Sequence, residues 1–163
     1  MLQLRVPTEE DAKFWCRMFD DPEVMEFHGG NSWADLSYYL RLGSRQRKYA
    51  AELGFCLWSV LTPDGDVAGF AGAQPWQHDW GPAGQVTIGW RLGRDFWGRG
   101  YATEAAQMGL RKVREAGVKS VVAVINVKNE RSIAVARRLG MERLETLIRP
   151  DVNQPAYHFR LVL

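Results

Sequence analysis

Two glycines separated by one residue, Gly98 and Gly100, lie between an apolar strand-like segment and a helix-like segment. Glycines at such a junction let the backbone turn tightly, and the first amides of the next helix then point free N–H groups outward. The positive end of that helix attracts an anion without a metal ion. The spacing therefore favours an anion site that fits a pyrophosphate, and a structural turn without a ligand is the alternative.

Two other phosphate-binding loops fit the same residues less well. A nucleoside-triphosphate loop requires a lysine and a hydroxyl residue after its last glycine, whereas Arg99 and Gly100 follow Gly98. A dinucleotide-binding turn has a third glycine where this chain has Thr103. Plain nucleotide binding is therefore disfavoured.

The periodicity of apolar residues predicts the elements that must position these glycines. The predicted order is β-α-α-β-β-β-α-β-α-β-β, with a hairpin at Pro63-Asp64-Gly65. Hairpins join the early strands and helices connect the later ones, which predicts an α+β fold with a mixed sheet and helices on its faces. Gly89, inside the strand before the turn, indicates a bulge or the close approach of a ligand or chain.

Composition limits the classes of function. The chain has 163 residues, 46% hydrophobic and 25% charged, which is typical of one soluble domain. A net charge of +2 gives no strong field for nucleic acid, and no apolar run is long enough for a membrane span. The charged start argues against export, so we expect a cytoplasmic protein. Cys16 and Cys56 lack metal-site or redox spacing, so we expect reduced thiols and no metal.

Three segments together carry a family resemblance. The first is "DFWGRGYATEA" at 95–105, with Asp95 where the general pattern has Gln or Arg. The second is Asn129 and Ser132 opening a helix that ends in Leu-Gly-Met at 139–141, and the third is the opening block at 4–27. In order and spacing the chain resembles the GNAT superfamily of N-acetyltransferases over nearly its whole length. It is most similar to the branch that includes the ribosomal-protein N-terminal acetyltransferases.

The resemblance implies a fold and an activity. The fold is a central, mixed, seven-stranded sheet, splayed where the cofactor enters and flanked by about four helices, in a single domain spanning 1–163. The activity is acetyl-CoA-dependent transfer of an acetyl group to a primary amine, by direct attack in a ternary complex without metal or covalent intermediate. A non-catalytic acyl-CoA-binding sensor or scaffold module is the alternative.

The resemblance also assigns the cofactor-binding residues. These are the strand before the turn, the turn with the first helical residues, and the start of the later helix: Trp90, Arg91, Leu92, Gly98, Arg99, Gly100, Tyr101, Ala102, Thr103, Asn129 and Ser132. Many relatives protonate the leaving thiolate with a tyrosine seven residues after the asparagine, but this chain has Ala136 there. Ser132 is therefore the predicted catalytic proton donor, and an N-terminal helix cap is the structural alternative.

A free amine must lose a proton before it attacks a thioester. We rank His28 and His78 as catalytic bases because a neutral imidazole exists near pH 7. The resemblance implies that His28 lies in a connection bordering the acceptor pocket. His78 lies in the predicted loop before the cofactor strand. Other candidates are Glu26, Asp79, Asp95 and Glu104, and transfer of the proton to water without a dedicated base also remains open.

The sequence predicts only the chemical class of the molecule that accepts the acetyl group. Five aromatic residues could wall an apolar slot or simply fill the core: Trp33, Tyr38, Trp76, Trp80 and Trp97. No acidic cluster selects a polycationic antibiotic, so a peptide N-terminus or small amine is expected. The strand-like segment at 156–163 could pair with a second copy, which makes a homodimer reasonable.

Overall fold

The computed structural model describes residues 1–28 and 34–163. The strands in these residues are β1 (Gln3–Arg5), β2 (Leu57–Leu61), β3 (Val67–Pro75), β4 (Val86–Leu92), β5 (Ser120–Asn126), β6 (Glu142–Arg149) and β7 (Gln154–Val162). The α-helices are α1 (Glu9–Met18), α2 (Pro22–Met25), α3 (Leu36–Leu53), α4 (Tyr101–Glu115) and α5 (Glu130–Arg138). A 3-10 turn, Arg94–Phe96, precedes α4.

The strands form one mixed sheet in the order β1-β2-β3-β4-β5-β7-β6. Every neighbouring pair is antiparallel except β4 and β5, which are parallel. The predicted α+β fold with seven strands is confirmed, and the short helix α2 is an addition to the predicted element order. The hairpin turn at Pro63-Asp64-Gly65 also forms, with Gly65 at a φ of 86°.

The sheet opens between β4 and β5. Their register contains a single pair, Thr87 and Val122, and the Thr87 hydroxyl donates to the Val122 carbonyl oxygen at 3.2 Å. By contrast, the antiparallel strands β5 and β7 are paired continuously from Ser120 to Asn126. The sheet is therefore splayed in its middle, as predicted.

Two features of the strands differ from the sequence prediction. Gly89 lies opposite Gly72 in an unbroken β3–β4 register, so the bulge predicted there is absent. Strand β7 lies between β5 and β6 and is not a sheet edge, so the premise for pairing a second copy through 156–163 is wrong. Strand β6 occupies that edge instead, because the last hairpin folds back outside β7.

Helices cover both faces of the sheet. On one face, α1 and α3 pack large side chains such as Trp15, Phe19 and Tyr39 against Phe70 of β3. On the other face, α4 and α5 pack against residues of β2 and β5, including Trp58. Within the described part of the chain, no helix combines the length and apolarity needed to cross a membrane.

Candidate functional site

A cavity of about 680 Å³ lies at the carboxyl end of β4. Its wall is built from the end of β4, the turn before α4, the first turns of α4 and α5, and the α2 segment. All but one of the predicted cofactor-binding residues line it: Trp90, Arg91, Leu92, Gly98, Gly100, Tyr101, Ala102, Thr103, Asn129 and Ser132. The structure therefore brings these separate segments together around one space.

The start of α4 differs from the other helix starts in the described residues. Side-chain oxygens cap the remaining four α-helices, from Thr8, Asp21, Asp35 and Asn129 respectively. The N-cap residue of helix α4 is Gly100, which has no side chain to cap the helix. Its first backbone N–H groups thus lack a side-chain acceptor at the point where the positive end of the helix dipole faces the cavity.

The turn before α4 keeps this end open. Gly98 and Gly100 have φ angles of 78° and 76°, a region that non-glycine residues rarely adopt. A Cβ atom built on either glycine would meet no heavy atom within 4 Å. Glycine is therefore favoured at both positions by the left-handed backbone conformation and not by lack of space. The space beside both residues is free for a ligand.

Ser132 is held by two hydrogen bonds at the start of α5. The indole Nε1 of Trp90 donates to its Oγ at 3.3 Å, and its own backbone N–H donates to Asn129 Oδ1 at 3.3 Å. Asn129 is therefore the N-cap that the sequence predicted. Because an indole N–H can only donate, the Ser132 oxygen accepts there and its hydroxyl proton remains available to another group.

A second cavity, of about 120 Å³, fills the wedge between the splayed strands. Backbone segments 87–90 of β4 and 123–126 of β5 form its two sides. His28, Asn129 and Ser132 line both cavities, so the wedge and the larger cavity share a wall. An extended ligand could reach from the α4 terminus into the opening between the strands.

His28 is the titratable group on that shared wall. Burial lowers the pKa of its imidazole well below the usual range, and the positive charges of Arg91 and Arg149 lower it further. The imidazole is therefore neutral at pH 7, as a proton acceptor must be.

Arg91 lies on the opposite face of β4 from Trp90. Its guanidinium carbon is 5.3 Å from the ring centre of Phe19 and 5.2 Å from that of Phe70. Burial lowers the pKa of this guanidinium, while the nearby tyrosines Tyr39 and Tyr38 oppose that effect. Its Nε and Nη1 atoms are buried without a hydrogen-bond partner among the described residues.

Several predicted residues lie away from the cavities. Arg99 is exposed and its guanidinium is 5.9 Å from the ring centres of Phe96 and Tyr101. His78 is exposed and stacks on Trp80 at 4.8 Å, with Trp76 at its edge. Neither Arg99 nor His78 lines a cavity.

The remaining candidates divide between the cavity and the surface. Trp97 and Glu104 line the large cavity, whereas Glu26, Asp79 and Asp95 are exposed and do not. Glu104 accepts a hydrogen bond from the Leu2 backbone N–H at 3.3 Å. The predicted aromatic slot does not form as a unit: Tyr38 packs on Tyr39 at 5.1 Å, Trp76 and Trp80 form their own cluster, and Trp33 lies outside the described residues.

The cavity also contains residues that the sequence analysis did not select. They come from α2 and its following turn, from the 3-10 turn, and from α4 and α5: Glu23, Val24, Phe27, Phe96, Gln107, Arg131, Ala134, Val135 and Arg138. The guanidinium carbon of Arg131 is 3.8 Å from the ring centre of Trp97. The i, i+3, i+4 and i+7 spacing of residues 131, 134, 135 and 138 places them on one face of α5, and this was the available signal.

The two cysteines and the potential metal-binding side chains were compared with the requirements of a nucleophile and of a metal site. Burial raises the pKa of the Cys56 thiol to about 12, so it is not a nucleophile near neutral pH. Both cysteines are free thiols. Among residues 1–28 and 34–163, no group of three His, Cys, Asp or Glu side chains could hold a metal ion.

Comparison with known proteins identifies this architecture. A family model described as "Acetyltransferase (GNAT) domain" matches residues 1–142. A Bacillus licheniformis protein named as an uncharacterized N-acetyltransferase, p20, is 28% identical over 154 residues, covering 91% of this chain and 82% of that protein. Neither description specifies the ribosomal-protein branch, which stays a prediction.

Solved structures share the fold. An acetyltransferase of the GNAT family from Bacillus anthracis has a TM-score of 0.77 at 20% identity, covering 99% of this chain and 94% of that one. The aminoglycoside acetyltransferase AAC(6')-Ib in complex with coenzyme A has a TM-score of 0.74 at 19% identity, covering 99% of this chain and 95% of that one. A further structure of AAC(6')-Ib contains acetyl-CoA.

Proposed function

The chain belongs to the GNAT acetyltransferase family, and from that premise we propose that it transfers the acetyl group of acetyl-CoA to a primary amine. The observation that carries the proposal is the uncapped start of α4 at the open, glycine-lined end of the large cavity. Solved relatives of the same fold bind coenzyme A or acetyl-CoA, which supports the choice of donor.

The residues of this cavity fit the donor's parts. The free N–H groups of Tyr101, Ala102 and Thr103 suit the pyrophosphate, because each hydrogen bond to a charged group is worth about 1.5–3 kcal/mol. The unpaired edge of β4 in the wedge suits the pantetheine arm through backbone hydrogen bonds. Asn129 at the start of α5 lies where the two parts would meet.

Acetyl-CoA supplies a thioester carbonyl, and the reaction forms an amide C–N bond as the C–S bond breaks. A backbone N–H of the Trp90–Leu92 segment stabilises the negative charge that develops on the carbonyl oxygen. The Ser132 hydroxyl, fixed as an acceptor toward Trp90, donates its proton to the departing sulfur and regains one through water from the protonated base, so the amine proton balances the proton taken up by the thiolate. Ser132 thus takes the role that the tyrosine has in many relatives, whose position here is the buried Ala136.

The proton of the attacking amine passes to His28, directly or through one water. Its depressed pKa keeps the imidazole neutral, and it lines both cavities. His78 does not reach either cavity, so His28 is the better candidate of the two. Because the Cys56 thiol is not activated and no group of three metal-binding side chains exists among the described residues, the proposed route is direct attack in a ternary complex.

Thiol release from acetyl-CoA tests this function. The purified protein is assayed with a colour reagent across amino acids, short peptides with different N-terminal residues, polyamines and aminoglycosides. Melting temperatures are measured in parallel with and without CoA. We expect acceptor-dependent thiol release and a rise of about 5 °C or more at CoA well above its Kd.

Two outcomes contradict parts of the proposal. A CoA-dependent rise in melting temperature without turnover on any acceptor would retain the cofactor site and favour a sensor or scaffold module. Neither a rise nor turnover would mean that Gly98 and Gly100 do not form a CoA site.

A further inference from the structure

The two faces of β4 present different chemistry. Trp90 and Leu92 point toward α4 and α5, where Trp90 bonds to Ser132 and Leu92 packs against Ala105. Arg91 lies between them in sequence and therefore points to the other face. Its cross-strand partner on β3 is Phe70, whose ring lies under the guanidinium. The Arg91 side chain thus faces the α1–α3 layer and not the helix start that suits a pyrophosphate.

The buried carboxylate of Asp11 shows how another buried charge among the described residues is satisfied. The Asp11 carboxylate, which is fully buried, accepts from Arg5 at 2.6 Å, from the Thr8 backbone N–H at 3.0 Å and from Ser59 at 2.7 Å. Arg91 has a smaller set: its guanidinium is hydrogen-bonded to Tyr39, but its Nε and Nη1 lack partners among the described residues. An arginine has five N–H donors and no acceptor, so two buried donors without acceptors are costly.

The carboxylates of the cavity do not neutralise Arg91. Glu23 is 3.5 Å from Arg94 and Glu104 accepts from the Leu2 backbone, so each already has a partner. Residues 29–33, which the structure does not describe, contain no acidic residue. The ionisable side chains that line the wedge cavity are His28, which is neutral at pH 7, and the cation Arg149. No described carboxylate therefore pairs with Arg91, and its Nε and Nη1 donors are available to an acceptor that a ligand supplies.

We propose that Arg91 binds the carboxylate of the acceptor, so that the substrate is a small amine that carries a carboxylate, such as an amino acid. A carboxylate presents two oxygens in the spacing that a guanidinium fork matches. His28 lines the large cavity together with Arg91 and Ser132, and the charge of Arg91 acts on its imidazole. An α-amino group beside the bound carboxylate would therefore lie near the ring that takes its proton.

The same arrangement disfavours a polycationic acceptor. A second cation placed beside a desolvated guanidinium that no described carboxylate neutralises is repelled. Arg91, Arg131 and Arg138 also outnumber the carboxylates Glu23 and Glu104 on the cavity wall. This inference rests on the proposed acetyl transfer for the identity of the site, but its binding step can be measured without turnover.

The test compares acceptors that differ only at the carboxylate. Each of a panel of amino acids is assayed beside its carboxamide and its decarboxylated amine, both for thiol release and for a shift in melting temperature. N-acetylated amino acids and their amides, which mimic the products, are included in the melting assay. The proteins are wild type, Arg91→Met, Arg91→Lys and Arg17→Met. Arg17 is a matched control because its guanidinium also lies over a phenylalanine ring, at 5.1 Å from Phe14, on the exposed surface of α1.

We expect at least one amino acid to be acetylated with a kcat/KM at least about 30-fold above that of its amide. Arg91→Met should remove this preference while leaving the CoA-dependent rise in melting temperature unchanged. Arg91→Lys should retain part of the preference, because the charge remains but the fork is lost. Arg17→Met should behave as wild type.

The outcomes separate this inference from the proposed function. Turnover on amides or decarboxylated amines that matches turnover on the free amino acids in wild type would overturn the role of Arg91 and leave acetyl transfer intact. Amino-acid turnover at the same rate in wild type and Arg91→Met would do the same. If no acceptor turns over, the proposed function fails. The inference then stands only if amino acids or their N-acetyl forms raise the melting temperature of wild type but not of Arg91→Met. No carboxylate-dependent shift in any protein would overturn it.

Discussion

The two ends of the candidate site use different parts of the chain. At the α4 end, the binding groups are backbone N–H groups, and the residues that matter are glycines with positive φ, Gly98 and Gly100. On the α1–α3 side, the binding groups are side chains from distant segments, Arg91 of β4 and His28 after α2. One end is a local backbone conformation and the other is a product of tertiary packing.

This difference predicts how each end responds to substitution. A backbone site cannot be removed by changing the residue that donates, but it can be distorted or filled where a glycine is replaced. A side-chain site can be removed by a single truncation, and the loss of a buried, unpaired cation need not destabilise the fold. Four measurements test the contrast.

The largest effect is expected for Gly98→Trp. The new side chain would fill the open space beside the α4 terminus and would impose a left-handed backbone on a bulky residue. We expect CoA affinity to fall at least about 100-fold, corresponding to the loss of one or two charged hydrogen bonds, as measured by isothermal titration calorimetry.

Gly65→Trp is the matched control for this variant. Gly65 has a φ of 86°, and a Cβ there also meets no atom within 4 Å, but it lies in the β2–β3 hairpin away from both cavities. The two variants should lose similar stability, and only Gly98→Trp should lose CoA binding. Unchanged CoA affinity in Gly98→Trp would refute the position assigned to the pyrophosphate.

Ser132→Ala should show the next largest effect. Removing the hydroxyl takes away the proton donor for the leaving sulfur, so kcat should fall about 10- to 100-fold at saturating acetyl-CoA. The Kd for CoA should change little, because the backbone bond between residue 132 and Asn129 remains.

Ser132→Thr keeps the hydroxyl and should recover most of the rate. A kcat that is equal in wild type and Ser132→Ala would reduce Ser132 to a residue that only positions Trp90. Proton transfer to the sulfur would then come from water.

The backbone end of the site could be predicted from the sequence because its signals are local. Gly98, Gly100 and the Asn129 cap follow from turn and helix-end chemistry within a few residues of each position. The hairpin at Gly65 and the capping box at Thr8 and Asp11 are local in the same way, and the structure contains both.

The side-chain end could not be predicted in the same way. Arg91 was selected only for its strand backbone, because its partners Phe19 and Phe70 are 72 and 21 positions away in the chain. His28 and His78 were ranked together by residue type, and only the fold places one at the cavity and the other on Trp80. The edge position of β6 likewise depends on long-range pairing, so β7 was wrongly expected to be exposed.

The free energy of unfolding of Arg91→Met tests whether the side-chain end of the site can be removed without destabilising the fold. The substitution removes two buried nitrogen donors without partners, Nε and Nη1, together with the hydrogen bond to Tyr39, and it keeps an apolar stem between Phe19 and Phe70. We expect the free energy of unfolding to stay equal or to rise by about 1–2 kcal/mol in urea titrations, after allowing for the lost ring contacts. A fall of similar size would mean that Arg91 is a structural residue whose donors are satisfied in the native protein.

The smallest effect is the pH dependence that His28 gives to stability. Its folded pKa lies well below the usual value because of burial and the charges of Arg91 and Arg149, whereas the unfolded chain binds a proton near pH 6.5. The stabilising contribution is therefore fully present above pH 6.5 and is lost as the pH falls below that value. Between pH 7.5 and 5.5, wild type should lose about 1 kcal/mol more than His28→Gln.

His28→Gln retains a polar side chain of similar size, and His78→Gln is the control at an exposed imidazole outside both cavities. The control should keep the wild-type fall in unfolding free energy, so the difference between the two variants isolates the buried ring. Parallel falls in all three proteins would show that His28 gains its proton in the native state. A protonated His28 could not accept the amine proton, so water would have to be the base. Arg91 would then be the one side chain that this end of the site contributes to the reaction.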